Sequence, residues 1–251
     1  AANVGSGCVD ASRVALTVGT TGAMRVLLAG VPRSVPQGLW AYRLDARSTL
    51  LGGSLTEGGS VLRWLMETLN LPPLADVEPQ LARLQPDGHG LTVLPFLGGE
   101  RSPGFATRAT GVVAGLRLST RPEELLQASL EAIAYRFGLR LIHRLLEPHV
   151  AAGARVIASG GAITASPYWL QAMADVLQRP VTVCAEPEAT SRGVAVLALR
   201  ALGVWPRLDA VPAALGETYH PDAERGKIYS AALERQAAMY DKLIARDEVL
   251  P

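Results

Sequence analysis

Three glycine-rich turns in this chain could each hold an anionic ligand. The first is Gly19-Thr20-Thr21-Gly22, where glycines permit a tight turn and threonine hydroxyls and backbone N–H groups offer donors. The second is Gly58-Gly59-Ser60, which opens a predicted helix, and the third is Ser159-Gly160-Gly161, which follows a predicted strand. Each pattern also fits a purely structural turn or helix cap, so phosphate binding and simple chain reversal both stay open.

The third turn lies in the stretch around which the chain is organised, residues 155–175. Arg155–Ala158 is rich in aliphatic residues and predicts a strand, and Ser166 and Pro167 predict the N-cap and first residue of a helix. Apolar residues at helical spacing follow, at Leu170, Met173, Ala174 and Leu177. Ligands of α/β folds bind at the carboxyl ends of parallel strands, so this position of the glycine pair favours a ligand contact.

The remaining pattern predicts the elements that would position these turns. Strands are expected at Arg13–Val18, Met24–Ala29, Gly38–Leu44, Leu91–Phe96 and Val181–Cys184, with a short apolar segment at Gly111–Leu116. Helices are expected from the Thr56–Ser60 segment to about Leu69, from Ser119 to about Leu146 with Leu141 on its apolar stripe, from Thr190 or Ser191 to Leu202, and from Asp222 to about Arg246. The chain begins with several strands and then alternates strands and helices, an order that predicts an α/β domain. We expect a mixed sheet in which an antiparallel meander is joined to parallel β-α units, with helices on the faces of the sheet.

Composition excludes several classes of function. The 251 residues contain 24 Lys and Arg against 23 Asp and Glu, without a basic run, which argues against a nucleic acid or an anionic membrane as the main partner. Two cysteines, Cys8 and Cys184, are too few for a disulfide framework or a zinc site. Neither a signal peptide nor a membrane-spanning run is apparent, so we expect a cytoplasmic globular protein.

Several acidic and histidine side chains are interpreted as structural. Glu131 lies within a largely apolar helix and is expected to be a hydrogen-bonded structural carboxylate. His89 is expected to be exposed to solvent in a polar loop, and Asp175 to serve helix packing or the surface. We assign none of these three side chains as a catalytic or metal-binding residue.

Five motifs in order resemble the C-terminal domain of FGGY-family carbohydrate kinases, which include gluconate kinases, xylulokinases and glycerol kinases. They cover nearly the whole chain: Ala2–Cys8; Leu16–Gly22; Leu94-Pro95-Phe96 through Gly99-Glu100-Arg101-Ser102-Pro103; Gly111, Val113, Gly115 and Leu116 with Glu124-Leu125 and Ala128–Glu131; and Ser159–Ala162 with Trp169, Gln171 and Ala174-Asp175. A single glycine pair would be weak support, whereas five motifs in register are specific.

The resemblance implies an actin-like ATPase fold, of the ribonuclease H-like class, that binds ATP with Mg²⁺. By position, Gly19 and Thr20 would touch the ATP phosphates, and Gly59 and Arg63 would lie along the phosphate and nucleoside path. Gly160 and Gly161 would lie under the adenosine. Ala165 takes the place where some members use Asn toward adenine, which implies adenine contacts made by backbone alone.

In the resembled family, two such domains close over ATP and a sugar. The Asp that activates the sugar hydroxyl precedes the segment matched by Ala1-Ala2-Asn3. We therefore expect residues 1–251 to be a single C-terminal nucleotide-binding domain without the N-terminal sugar-binding domain. Alone, it is expected to phosphorylate no sugar, and the whole enzyme to act on a gluconate-type or xylulose-type substrate.

Two alternatives of other classes remain open. The chain could be a binding or assembly module that docks a partner chain or a second copy of itself, forming a homodimer. It could also be a nucleotide-binding regulator of the wider actin-like group, with ATP binding that is independent of any sugar.

Overall fold

The computed structural model describes residues 1–138, 142–210 and 212–244. Within those ranges the strands, in chain order, are β1 Arg13–Val18, β2 Gly22–Ala29, β3 Trp40–Asp45, β4 Ser48–Leu55, β5 Thr92–Leu94, β6 Val112–Ala114, β7 Arg155–Ser159, β8 Val181–Cys184 and β9 Leu215–Tyr219.

The helices are α1 Ala2–Gly5, α2 Gly59–Thr68, α3 Leu74–Leu81, α4 Pro122–Phe137, α5 Ile142–Leu146, α6 Gly161–Thr164, α7 Pro167–Leu177, α8 Ala189–Ala201 and α9 Ala223–Leu243. Short 3-10 turns follow α5 at Glu147–His149 and precede β9 at Leu208–Ala210. Of the helices in the described ranges, none has both the length and the apolar character needed to cross a membrane.

The main sheet is mixed, with the strand order β3-β4-β2-β1-β7-β8-β9. Strands β1, β7 and β8 are parallel, and the strands outside them pair antiparallel. The register of β1 against β7 places Thr17 opposite Ser159, so both strands end at the same edge of the sheet. The two turns predicted to contact a ligand therefore start side by side.

Helices cover both faces of this sheet because successive strand residues point to opposite sides. On one face, Leu16, Val18 and Met24 join the largest apolar core with residues of α4 and α7. On the other face, Leu27 and Leu50 pack with Val4 of α1 and Val196 of α8. The sheet is thus buried on both sides, and its edge remains available for function.

Comparison with the sequence-based expectations confirms the mixed α/β architecture and the predicted strands, with shifts of a few residues at most ends. Two strands, β4 and β9, were not predicted. The β4 sequence contains Gly52-Gly53, and a glycine pair weakens the sequence pattern of a strand. Glycine fits here because a Cβ on Gly52 would lie 2.5 Å from Met24 O, and a Cβ on Gly53 would lie 2.9 Å from the Ile142 side chain. Strand β9 is an edge strand without fully buried residues, so its apolar alternation is weak.

The predicted helix ends are less accurate than the predicted starts. Helix α4 was expected to continue to about Leu146, but it ends at Phe137, and the chain leaves the helix at Gly138. Leu141, which was assigned to the same apolar stripe, lies outside the described residues, as does Arg246, the expected end of the last helix. Residues 2–5 form the short helix α1, which was not among the predicted helices.

Candidate functional site

The turn between β1 and β2, Gly19–Thr21, packs directly on the start of α2. The Gly59 N–H donates to Gly19 O at 2.7 Å, and the Ser60 N–H donates to Thr20 O at 3.0 Å. These first helical amides are therefore capped by the turn and are not free to bind an anion. These two bonds favour a structural role for the first amides of α2, and the exposed threonine side chains of the turn remain as donors.

The end of β7 approaches the end of β1 through Gly160. Its φ is +100°, and a Cβ at this position would lie 2.5 Å from Val18 O. A side chain is therefore excluded both by backbone conformation and by contact. The hydroxyl groups of Thr17 and Ser159 lie 3.1 Å apart just before this point, which fixes the two strand ends together.

The predicted glycines meet around open space at this edge of the sheet. A Cβ on Gly59 would lie 2.6 Å from the Ala162 Cβ and 2.7 Å from Gly19 O, so α2, α6 and the β1–β2 turn are in direct contact. By contrast, a Cβ on Gly19 or Gly161 would have no atom within 4 Å. The structure thus brings Gly19, Thr20, Gly59, Gly160 and Gly161 together, and leaves room above them.

Arg63 and Ala165 lie on the rim of the same region. Arg63 follows Gly59 by one turn of α2 and is exposed, and Ala165 is exposed at the end of α6. Within the described ranges, Arg63 forms no ion pair.

Glu57 is a residue of this region that the sequence analysis missed. It lines a cavity of about 370 Å³ together with Thr20, Thr21, Thr56, Ser60, Val61, Trp64, Leu97 and Gly98. Its side chain is buried, and burial raises the pKa of its carboxyl group to about 7. A Glu before two glycines carries no sequence signal for burial, because segments distant in the chain, including the β1–β2 turn and residues 97–98, line the same cavity.

A second buried carboxylate, Glu131, lies away from this edge and has a different environment. Its oxygens accept hydrogen bonds from five side chains of the described ranges, those of His89, Gln127, Tyr135, Tyr168 and Tyr229. The expectation of a structural, hydrogen-bonded carboxylate is confirmed. We call this group of side chains the Glu131 network.

The expected exposure of His89 was wrong. Its side chain is 2% exposed, because Glu131 accepts from Nε2 at 3.0 Å while the Leu91 N–H donates to Nδ1 at 2.9 Å. The second bond places the ring proton on Nε2. Asp87, His89 and Glu131 are close enough to hold a metal ion, but Asp87 pairs with Arg235 and Glu131 is saturated with donors.

Asp175 has the helix-packing role that was expected. It is buried, and its Oδ1 accepts from the Asp222 N–H and from the Gln171 amide, both at 2.8 Å. Asp222 in turn caps α9. Asp175 therefore joins α7 to the start of the last helix and has no part in the candidate site.

The site geometry agrees with what comparison with known proteins shows. The model of the "FGGY family of carbohydrate kinases, C-terminal domain" matches residues 14–202, about three quarters of the chain. The chain belongs to the FGGY family of carbohydrate kinases. The β1–β2 turn, α2, the end of β7 and α6, which build the glycine-lined edge, all lie in the matched range.

Curated relatives of this FGGY domain include two kinds of kinase. A gluconokinase of Bacillus subtilis is 31% identical over 230 residues, covering 86% of this chain and 44% of the relative. A glycerol kinase of Rhodopseudomonas palustris is 30% identical over 259 residues, covering 99% of this chain and 51% of the relative. The chain thus spans about half the length of the curated relatives it matches.

Solved structures of kinases share the fold. The gluconate kinase from Lactobacillus acidophilus superimposes with a TM-score of 0.85 at 26% identity, covering 96% of this chain and 49% of that one. The xylulose kinase from Rhodospirillum rubrum gives a TM-score of 0.80 at 29% identity with the same coverage. The actin-like ATPase fold implied by the sequence motifs is therefore confirmed.

Proposed function

We propose that this chain is the nucleotide-binding half of an ATP-dependent carbohydrate kinase. In this role the ATP phosphates lie on Gly19 and Thr20, and the adenosine lies over Gly160 and Gly161. The observation that carries the proposal is the meeting of these glycines, with Gly59, beneath open space at the carboxyl edge of two parallel strands.

The rim residues extend this site along α2 and α6. Arg63 is exposed and unpaired within the described ranges, so its guanidinium is available to a phosphate or ribose oxygen. Ala165 presents only a methyl group, so recognition of adenine falls to backbone groups. Selection of the base would then be weaker than with an amide side chain at this position.

The reaction of the whole enzyme is transfer of the γ-phosphoryl group of ATP to a hydroxyl of a sugar or sugar acid, of the gluconate or xylulose type. The hydroxyl oxygen forms the new bond to phosphorus, the bond to the ADP oxygen breaks, and a carboxylate takes the hydroxyl proton. This domain binds and orients the phosphates. Mg²⁺ would accompany the nucleotide and would supply positive charge that stabilises the phosphoryl group during transfer.

The chain by itself is proposed to be inactive as a kinase. It spans about half of its kinase relatives, and we assign no general base among its residues. The sugar would be bound together with an N-terminal domain in the cytoplasm. An ATP-consumption assay of the isolated chain with gluconate, xylulose or glycerol should show no sugar-dependent turnover, and such turnover would overturn this part of the proposal.

Calorimetric titration with Mg-ATP tests the nucleotide site. Gly161→Asp adds a negative side chain in open space at the proposed adenosine side, without a backbone clash, and should abolish binding. Gly153→Asp is the matched control, because it adds the same charge at a distant glycine whose Cβ is equally open. Its φ of +71° is one that Asp tolerates. Equal affinity of both variants and the parent would contradict the proposed site.

A docking function is the second candidate, and one observation favours it. Trp64, Leu97 and Val113 are each 40–48% exposed, and all three line an apolar cavity of about 200 Å³ beside α2. Exposed apolar patches of this kind commonly mark association with another chain. Light scattering after size-exclusion chromatography would distinguish a homodimer from a monomer, and a Trp64→Lys variant should dissociate a dimer formed through this patch.

A further inference from the structure

Glu57 is a buried carboxyl group without a hydrogen-bond donor. Its residue is 1% exposed, and neither Oε1 nor Oε2 has a partner among the described residues. A buried carboxylate in this situation is strongly unfavourable, whereas the neutral acid loses much less on leaving water. The fold therefore favours the protonated form of this side chain.

The charged groups near Glu57 do not neutralise the negative charge of its ionised form. Arg136 of α4 and Glu100 of the loop after β5 face it, and Arg136 already forms a direct ion pair with Glu100. The Tyr240 hydroxyl donates to the second oxygen of Glu100 at 2.6 Å. One buried cation thus faces two carboxyl groups, and the cluster is neutral only when Glu57 carries a proton.

The shift of the Glu57 pKa agrees with this charge balance. Burial is the main cause of its rise to about 7, and Glu100 adds to it. The nearby backbone N–H groups of Glu57 and Thr56 and the Arg136 guanidinium oppose the rise, although none of them meets the carboxyl oxygens with hydrogen-bond geometry. Near neutral pH the side chain therefore exchanges a proton with solvent. A further negative charge nearby would shift this equilibrium toward the acid.

The position of Glu57 exposes it to such a charge when nucleotide binds. It precedes Gly59 by two residues and lines the same cavity as Thr20 and Thr21. The Gly59 N–H donates to Gly19 O of the β1–β2 turn, on which we place the phosphates. An ionised Glu57 would repel the phosphates across a region of low dielectric constant, and a protonated one would not.

We propose that Glu57 is a positioning residue for the nucleotide phosphates. In its protonated state it lets the phosphates bind on the β1–β2 turn, and it takes up a proton from solvent when ATP binds. This inference rests on the proposed nucleotide site. It adds that nucleotide affinity falls as Glu57 ionises, and that one side chain of this domain causes the effect.

The test is calorimetric titration with Mg-ATP at pH 6, 7 and 8, in pairs of buffers that differ in ionisation enthalpy. The difference in heat between paired buffers counts the protons taken up, and this measurement on the parent chain requires no variant. We expect net uptake by the parent at pH 7 to 8, with affinity that weakens as pH rises. Each unit by which the nucleotide raises the Glu57 pKa corresponds to an affinity change of about tenfold.

Glu57→Gln keeps the shape of the side chain but cannot ionise, so it should bind with nearly constant affinity across this range. Protonation of the nucleotide phosphates is common to both proteins and cancels in the comparison. Glu67→Gln is the matched control. Glu67 is exposed near the end of the same helix, so this variant should show the proton uptake and the pH dependence of ATP affinity of the parent.

The two proposals fail in different ways. Saturable binding with equal proton uptake and equal pH dependence in the parent and in Glu57→Gln would overturn the role of Glu57 and leave the nucleotide site intact. Absence of binding to the parent and to Glu57→Gln at every pH, with both proteins folded by circular dichroism, would overturn the nucleotide site and the inference that rests on it.

Discussion

Glu57 and Glu131 are both almost completely buried, and their surroundings are opposite. Glu131 receives hydrogen bonds from five side chains of the described ranges, whereas Glu57 receives none there. Burial alone therefore does not define what a carboxyl group does. The Glu131 network joins α4, α7, α9 and the loop after α3, while Glu57 stays free to exchange a proton beside the glycine-lined edge.

Removing the Glu131 carboxylate should have the largest effect on stability. Glu131→Ala leaves several buried donors unpaired and creates a cavity, so we expect a loss of about 3–5 kcal/mol in the free energy of unfolding. Urea denaturation followed by circular dichroism measures it. Glu57→Ala is the control at the other buried glutamate and should cost less, because no donor loses a partner; equal losses would remove the contrast between the two sites.

The pH dependence of stability should separate the two glutamates next. Between the ordinary Glu pKa of 4.5 and about 7, folded Glu57 binds more protons than the unfolded chain, so its contribution to stability is complete below 4.5 and is lost as pH rises toward 7. At roughly 1.4 kcal/mol per pH unit, the loss is at most about 3–4 kcal/mol. Glu57→Gln should abolish it.

The measurement must compare the parent with Glu57→Gln at each pH, because His143 acts in the opposite direction. Burial lowers the pKa of His143 to about 4, so the unfolded chain binds more protons there and stability rises with pH up to about 6.5. The contribution of His143 is the same in both proteins. A parent-minus-variant difference that is constant from pH 5 to 8 would mean that Glu57 titrates normally.

Removing single donors from the Glu131 network should have the smallest effects. Tyr168→Phe deletes the shortest of these bonds, at 2.6 Å, and should cost about 1.5–3 kcal/mol, whereas Tyr229→Phe deletes a bond of 3.2 Å and should cost less. Thermal denaturation of both variants ranks the donors. A larger loss for Tyr229→Phe would show that packing, and not the hydrogen bonds, determines the ranking.

Much of the fold followed from local patterns in the chain. Strand β7, the cap Ser166 and helix α7 were predicted because an aliphatic run, a Ser-Pro pair and helical spacing are local signals, and the Ser166 hydroxyl indeed accepts from the Trp169 N–H at 3.1 Å. Strand β4 was missed because its glycines are explained only by neighbours distant in sequence. The burial of His89 was missed for the same reason, since Glu131 lies far along the chain.

The sequence by itself determined the family, the α/β class and the glycines of the candidate site, because motifs and spacing are local properties of a chain. Only the tertiary structure decided that the first amides of α2 are capped by Gly19 and Thr20, and that Glu57 is enclosed without a donor while Glu131 has five in the described ranges. The reason is physical. Hydrogen-bond saturation and the pKa of a buried group depend on which distant segments pack around it, and spacing along the chain does not encode that arrangement.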